Sequence, residues 1–134
     1  MITFRPFRAI RPSAKYAQSV ASRPYDVLNS SEAKEEAAGN EHSFLRVIKP
    51  EIDLPDSTNI YDDVVYNSGK ETFAKMIEDG VFQSDQSPSF YVYRLTMEGR
   101  TQTGLVGCCH FEEYYDGRIK KHELTRTAKE NDRV

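Results

Sequence analysis

The densest group of reactive side chains in the sequence lies near its carboxyl end, between Arg118 and Arg126. This run reads RIKKHELTR, so one carboxylate and one imidazole stand among several cations. A helix is predicted to begin just after it, because Thr127 followed by Glu130 has the spacing of a capping box. Helix N-termini bind anions through free N–H groups, and Arg and Lys add charge-assisted hydrogen bonds to phosphate. The pattern therefore points to a phosphate site in which Glu123 acts as a general base.

A solvated, charged loop is the alternative interpretation of the same run, and spacing alone favours it. His122 by itself has the same alternative, because a single histidine in a polar loop is most often only that. His42 and His110 lie far from it in sequence, so no metal triad is evident and no metal site is predicted. Spacing alone therefore favours a solvated loop and leaves a phosphate site as the alternative.

Composition narrows the class of protein. The chain has 134 residues, of which 38% are hydrophobic and 29% charged, which is typical of a globular domain. It lacks a run of about 18 apolar residues, so no transmembrane helix is predicted. The net charge of -3 argues against nonspecific DNA binding as the main function.

Two further features bear on the compartment. The first 23 residues are basic, as in a mitochondrial transit peptide, but Pro6 and Pro12 interrupt any long amphipathic helix there. Cys108 and Cys109 are adjacent in the apolar run from Leu105 to Phe111, which predicts small core or strand residues with no reactive role. A reducing cytoplasm suits such thiols, and we expect a cytoplasmic protein.

Hydrophobic periodicity and turn residues predict a mixture of helices and strands. Asn29 and Glu32 form a capping-box pair that opens a helix ending at Gly39. Strands are predicted over 43–48, 90–97 and 100–111, with a turn at Glu98-Gly99. A long helix is predicted over 59–79, weakened at Asn67-Ser68-Gly69 and ended by Gly80. The expected fold class is α/β or α+β.

Several segments, taken together, resemble the start of one prokaryotic family. They are PFRAIRP at 6–12, RPYDV at 23–27, SFLRVIKPEIDLP at 43–55, YVYRLTMEGRTQTG at 91–104 and DGRIKKHELTRTAKENDRV at 116–134. The family is the domain of unknown function 1015, also labelled SpoOJ/ParA/ParB/RepB-like. The resemblance covers nearly the whole chain in order and with similar spacing.

The resemblance implies a ParB/sulfiredoxin-like core, whose hallmark is a strand followed by a motif like D-G-H-H-R that holds phosphate. That motif is absent from this chain, and Asp116-Gly117-Arg118 stands in a different context. We therefore expect an amino-terminal fragment of a longer protein. Residues 1–100 would form a family-specific mixed lobe, and 101–134 the truncated beginning of the ParB/sulfiredoxin-like core.

The same superfamily includes kinases that phosphorylate free L-serine, in which a His-Glu pair precedes the first helix of the core. His122-Glu123 is similar, which implies Glu123 as catalytic base and Lys121, His122 and Arg126 as substrate- or phosphate-binding residues. The implied activity is phosphoryl transfer to a small molecule, with L-serine as leading acceptor. The donor would be ADP, ATP or pyrophosphate, accompanied by Mg, and the fragment alone would be inactive.

Two other function classes stay open. One is a ParB-like DNA-partition or nucleoid-associated module, which would need a helix-turn-helix and a basic face, and neither is evident in the sequence. The other is a non-catalytic interaction domain, for which an exposed apolar patch would be the sign. The implied partner is a small-molecule substrate rather than a membrane or nucleic acid, and the sequence leaves the oligomeric state open.

Overall fold

The structure is a computed structural model that describes residues 1–120. The chain divides into two compact units, one formed by Ile10–Gln83 and the other by Met1–Ala9 with Ser84–Val134. Helices and small two-stranded sheets make up the described part, which confirms the expected mixed fold class. In residues 1–120, no helix is long and apolar enough to cross a membrane.

The unit Ile10–Gln83 is mainly helical. Its elements are β1 (Ile10–Pro12), α1 (Ala17–Val20), a 3₁₀ turn (Tyr25–Val27), α2 (Ser30–Glu36), α3 (Leu45–Ile48), a second 3₁₀ turn (Pro50–Asp53) and α4 (Asp63–Glu78). Strand β2 (Phe82–Ser84) follows and pairs with β1. Asn29 and Glu32 form the predicted capping box at the start of α2, with side-chain to backbone distances of 2.9 and 2.8 Å. Helix α4 ends at Glu78, and Gly80, at φ +73°, follows its cap as the predicted stop.

Two clusters of buried apolar side chains hold this unit together. Leu45, which is 0% exposed, lies in the first cluster with residues of α2 and the second 3₁₀ turn. Met76 and Phe82 lie in the second, where the rings of Phe44, Phe73 and Phe82 pack at centroid distances of 5.3–6.3 Å. Apolar burial therefore supplies this unit with an ordinary hydrophobic core.

Two sequence predictions in this unit are wrong, for physical reasons. The run 43–48 was expected as a strand, but Leu45–Ile48 is helical and buries Leu45. The expected weakness at Asn67-Ser68-Gly69 is also absent, because α4 runs unbroken through it. Gly69 is buried, and a Cβ there would stand 2.8 Å from the carbonyl oxygen of Val47. The glycine is needed for close packing of α4 and does not interrupt it.

The other unit is built around a β-hairpin. Strands β3 (Tyr91–Met97) and β4 (Arg100–Val106) pair antiparallel, from Tyr91 opposite Val106 to Met97 opposite Arg100. Glu98 (φ +51°) and Gly99 (φ +77°) form the predicted turn. β4 ends at Val106 instead of continuing to Phe111, and a short helix, α5 (Glu112–Tyr115), follows. The predicted boundary near residue 100, between a lobe and a core, stays a prediction.

Candidate functional site

The chain approaches the predicted phosphate site through a tightly closed loop. Helix α5 is followed by Asp116 and by Gly117, whose φ of +76° reverses the backbone. The N–H of Ile119 then donates to the carbonyl oxygen of Glu113 at 2.8 Å, which closes the loop. The loop thus fixes the backbone immediately before Lys120, where the described residues end.

Glu113 is the most unusual side chain of this region, because it is a carboxylate with only 2% of its surface exposed. The backbone N–H of Thr3 donates to both of its carboxylate oxygens, at 2.9 and 3.0 Å. Arg118 adds a hydrogen bond to Oε1 at 3.2 Å. Glu113 therefore fastens the amino-terminal segment to the α5 loop.

Charge and hydrogen bonding keep Glu113 ionised despite its burial. Burial opposes ionisation, but the N–H of Thr3 and the charge of Arg118 outweigh it, so the pKa of Glu113 is lowered. The Arg118 guanidinium also binds Asp116, with 2.7 Å between Nε and Oδ2. That hydrogen bond lowers the pKa of Asp116 and raises the pKa of Arg118. Both carboxylates and the guanidinium are thus paired with each other rather than directed to a ligand.

No sequence pattern indicated the Glu113 contact. Thr3 and Glu113 are separated by 110 positions, and the string EEYY at 112–115 has the composition of an exposed turn. A long-range contact between a backbone amide and one of two adjacent glutamates leaves no local periodicity to detect. Only the folded structure identifies which of the two glutamates is buried.

The residues assigned to the phosphate site all lie outside the described residues. These are Lys121, His122, Glu123 and Arg126, so their roles stay predictions. The neighbouring Arg118 belongs to the same cationic run in the sequence, but its guanidinium is occupied by Glu113 and Asp116. The positive charge for a phosphate would therefore have to come from Lys121, His122 and Arg126 rather than from Arg118.

A second polar cluster lies at the base of the hairpin. The Tyr91 hydroxyl stands 2.5 Å from Oδ2 of Asp85 and 3.1 Å from the carbonyl oxygen of Phe7, and it accepts the N–H of Ala9 at 2.9 Å. The Phe7 and Tyr91 rings also pack, with centroids 5.1 Å apart. These contacts tie the amino-terminal segment to β3, so the cluster has a structural role.

The prediction that the cysteines are core residues is wrong, although Cys108 forms an isolated β-bridge with Arg5. Cys108 and Cys109 are both exposed and free. The apolar run was expected to continue the strand into a core, but Gly107 ends it by packing under the Phe4 ring, where a Cβ would lie 2.6 Å from Cζ. Among residues 1–120, no three His, Cys, Asp or Glu side chains are grouped closely enough to hold a metal ion.

An open cleft of about 380 Å³ lies in the other unit, beside α2. Three glutamates line it, but Glu32 caps α2, and Glu36 accepts from Nε of Arg23 at 2.7 Å. Its charged groups are thus largely engaged within the protein, and the cleft offers no convergent set of groups for a ligand.

Comparison with known proteins places the whole chain in one family. A family model described as "Protein of unknown function (DUF1015)" matches residues 4–134. No curated protein and no solved structure matches the chain. Because the match spans nearly the full length, the chain belongs to the DUF1015 family.

Proposed function

We propose that this chain is part of a cytoplasmic small-molecule phosphotransferase of ParB/sulfiredoxin-like fold, with L-serine as the leading acceptor. The observation that carries the proposal is the His122-Glu123 pair, set between cations just before a predicted helix start in a DUF1015 chain. The loop closed between Glu113 and Ile119 supports it, because this loop fixes the backbone just before the predicted catalytic segment. Catalysis depends on such positioning of the reacting groups.

The proposed chemistry follows from the residue types. Glu123 accepts the proton of the serine hydroxyl as the oxygen attacks the terminal phosphorus of ADP, ATP or pyrophosphate. The bond from that phosphorus to the bridging oxygen breaks, and AMP, ADP or phosphate leaves. Lys121, His122 and Arg126 bind the phosphate oxygens and stabilise the transferring group. Mg would accompany the donor and neutralise part of its charge.

The chain is proposed to be the amino-terminal part of a longer enzyme, inactive alone. The exposed hairpin supports this, because Val92, Leu95 and Leu105 are 55–67% exposed and a two-stranded hairpin is at best marginally stable alone. A ParB/sulfiredoxin-like core would pack against these exposed apolar side chains. The activity is therefore sought in the intact gene product.

The direct test is phosphoserine formation from L-serine with each of the three donors. Glu123→Gln keeps the shape of the side chain and removes its basicity, so kcat should fall roughly 10²–10⁴-fold with little change in donor affinity. Arg126→Ala should mainly raise KM for the donor. Glu112→Gln, the same change at a glutamate whose side chain is 69% exposed, is the matched control.

The outcomes separate the parts of the proposal. Absence of phosphoserine with all three donors in the intact protein would exclude the serine-kinase function. Full activity of Glu123→Gln would leave a kinase but remove Glu123 as its base. Equal losses in Glu123→Gln and Glu112→Gln would show that Glu123 has no specific proton-transfer role.

A second candidate function, an interaction domain, is supported by the same exposed hairpin, since exposed apolar surface marks protein contacts. The two functions predict opposite effects for variants of the hairpin and of Glu123. Changes on the hairpin should alter association and leave phosphoserine formation intact, whereas Glu123→Gln should do the reverse.

A further inference from the structure

Strand β4 presents an edge with little protection against pairing. Within the described residues β4 pairs only with β3, so its other edge is open from Arg100 to Val106. Natural proteins guard such edges with lysine, proline, bulges or charges along the strand. β4 reads RTQTGLV, and its only charge is at its first residue. β3, in contrast, carries Arg94 at its centre.

We propose that β4 pairs antiparallel with β4 of a second copy of this chain, about a two-fold axis at Thr103. This inference rests on the interaction function proposed above and is independent of the phosphotransferase. The axis places Thr103 opposite its own copy, Thr101 opposite Leu105 and Arg100 opposite Val106. Each copy uses the same surface, as a closed dimer requires.

Charge and cross-strand chemistry favour this edge over the other. In the β4 pairing no like charges are opposed, and a threonine pair is a favourable cross-strand contact. The equivalent two-fold pairing of β3 would place Arg94 directly opposite its own copy, which is repulsive. Self-association should therefore use β4 rather than β3.

The number of strands supports the same partner. Two strands rarely form a stable sheet, whereas three or more with an apolar face do. Pairing through β4 gives a four-stranded sheet in the order β3-β4-β4-β3. It also brings Leu105, which is 63% exposed, opposite Thr101 of the second copy, and Val106 opposite the aliphatic part of Arg100. The contact is small, so a weak dimer that forms with rising concentration is expected.

The test measures the mass of the full chain by sedimentation and native mass spectrometry over low to high micromolar concentrations. Thr103→Lys and Thr103→Glu each oppose like charges at the axis, so each should weaken the dimer by about tenfold or more. Mixing the two variants should restore a heterodimer, since Lys then faces Glu. Thr96→Lys, an equivalent exposed threonine on β3, should leave the dimer unchanged.

The hairpin itself provides an internal control. Nε of Arg94 lies 3.3 Å from the Thr103 hydroxyl, so Thr103→Lys opposes Arg94 and Thr103→Glu attracts it. Loss of the dimer in both variants therefore cannot arise from this contact. A monomeric wild type at all concentrations, a mixture without heterodimer, or equal loss in Thr96→Lys would each overturn the proposal. Phosphoserine formation, measured on the same Thr103 variants of the intact protein, reports separately on the phosphotransferase.

Discussion

Each of the two units of this protein is stabilised internally by a different kind of interaction. In Ile10–Gln83, ten apolar side chains are at most 7% exposed, and nine of them form two packed clusters. In the described part of the other unit, the one buried side chain is that of Glu113. That unit depends on backbone bridges from Arg5 to Cys108 and from Phe7 to Ser89, and on the Glu113 and Tyr91 hydrogen bonds.

This difference means that one unit provides most of the apolar stabilisation, whereas the other provides surface for binding. A hydrophobic core responds to changes of volume, whereas hydrogen bonds and ion pairs respond to charge and pH. The exposed hairpin also precedes the predicted catalytic segment in the sequence. Its low apolar burial leaves strand edges and apolar side chains available for association, which the core of Ile10–Gln83 does not offer.

The largest expected difference between the units comes from the same substitution made in each. Leu45→Ala removes a fully buried side chain and should lower the free energy of unfolding by about 2–5 kcal/mol. Leu95→Ala removes a side chain that is 55% exposed and should change it by no more than about 0.5 kcal/mol. Urea unfolding of both variants measures the contrast. Equal losses would show that the hairpin is packed as tightly as the core.

A smaller effect is expected where a methyl group is added. Alanine is favoured over glycine in a helix by about 1 kcal/mol, yet Gly69→Ala should destabilise by about 1–2 kcal/mol. The reason is that its Cβ would meet the Val47 carbonyl at 2.8 Å and Pro50 Cγ at 3.0 Å. Gly104→Ala, whose nearest contact would be 4.0 Å away, is the matched control and should be close to neutral. Stabilisation by Gly69→Ala would mean that α4 can shift away from these neighbours.

Local patterns in the sequence predicted the features that depend on local physics. The Asn29–Glu32 cap, the Gly80 stop and the Glu98-Gly99 turn each need only a few adjacent residues, and all three are confirmed. The run 43–48 was misassigned because a short apolar stretch fits a strand or a helix equally well, and tertiary packing decides.

The other features that the sequence predicted wrongly or did not reveal share a cause. The role of Gly69 depends on Val47 and Pro50, about twenty residues away, and the burial of Glu113 depends on Thr3. The exposure of Cys108 and Cys109 depends on where the strand ends, at a glycine that packs under Phe4. Composition and spacing carry no record of such contacts. For the candidate site, the sequence indicated the reactive residues. The hydrogen bonds from Thr3 to Glu113, just before them in the chain, became visible only in the fold.

Charge should stabilise the unit with the hairpin, whose described residues include no buried apolar side chain. Because the folded-state pKa of Glu113 is lowered, its contribution to stability is present above the ordinary carboxyl pKa of about 4.3 and is lost as pH falls below it. The Thr3 amide, bound to both oxygens, should be protected from hydrogen exchange near neutral pH and should lose that protection on acidification.

Glu113→Gln removes the charge and keeps an acceptor. It should reduce the protection of the Thr3 amide from hydrogen exchange and flatten the pH dependence of that protection. The loss of stability should be smaller than that caused by Leu45→Ala. Glu112→Gln changes an adjacent glutamate whose side chain is 69% exposed, and it should leave both quantities unchanged. If acidification instead released the amides around Leu45 before that of Thr3, charge would not be what distinguishes the two units. If the Thr3 amide exchanged equally fast in wild type and in Glu113→Gln, the hydrogen bonds from Thr3 to Glu113 would not form in solution.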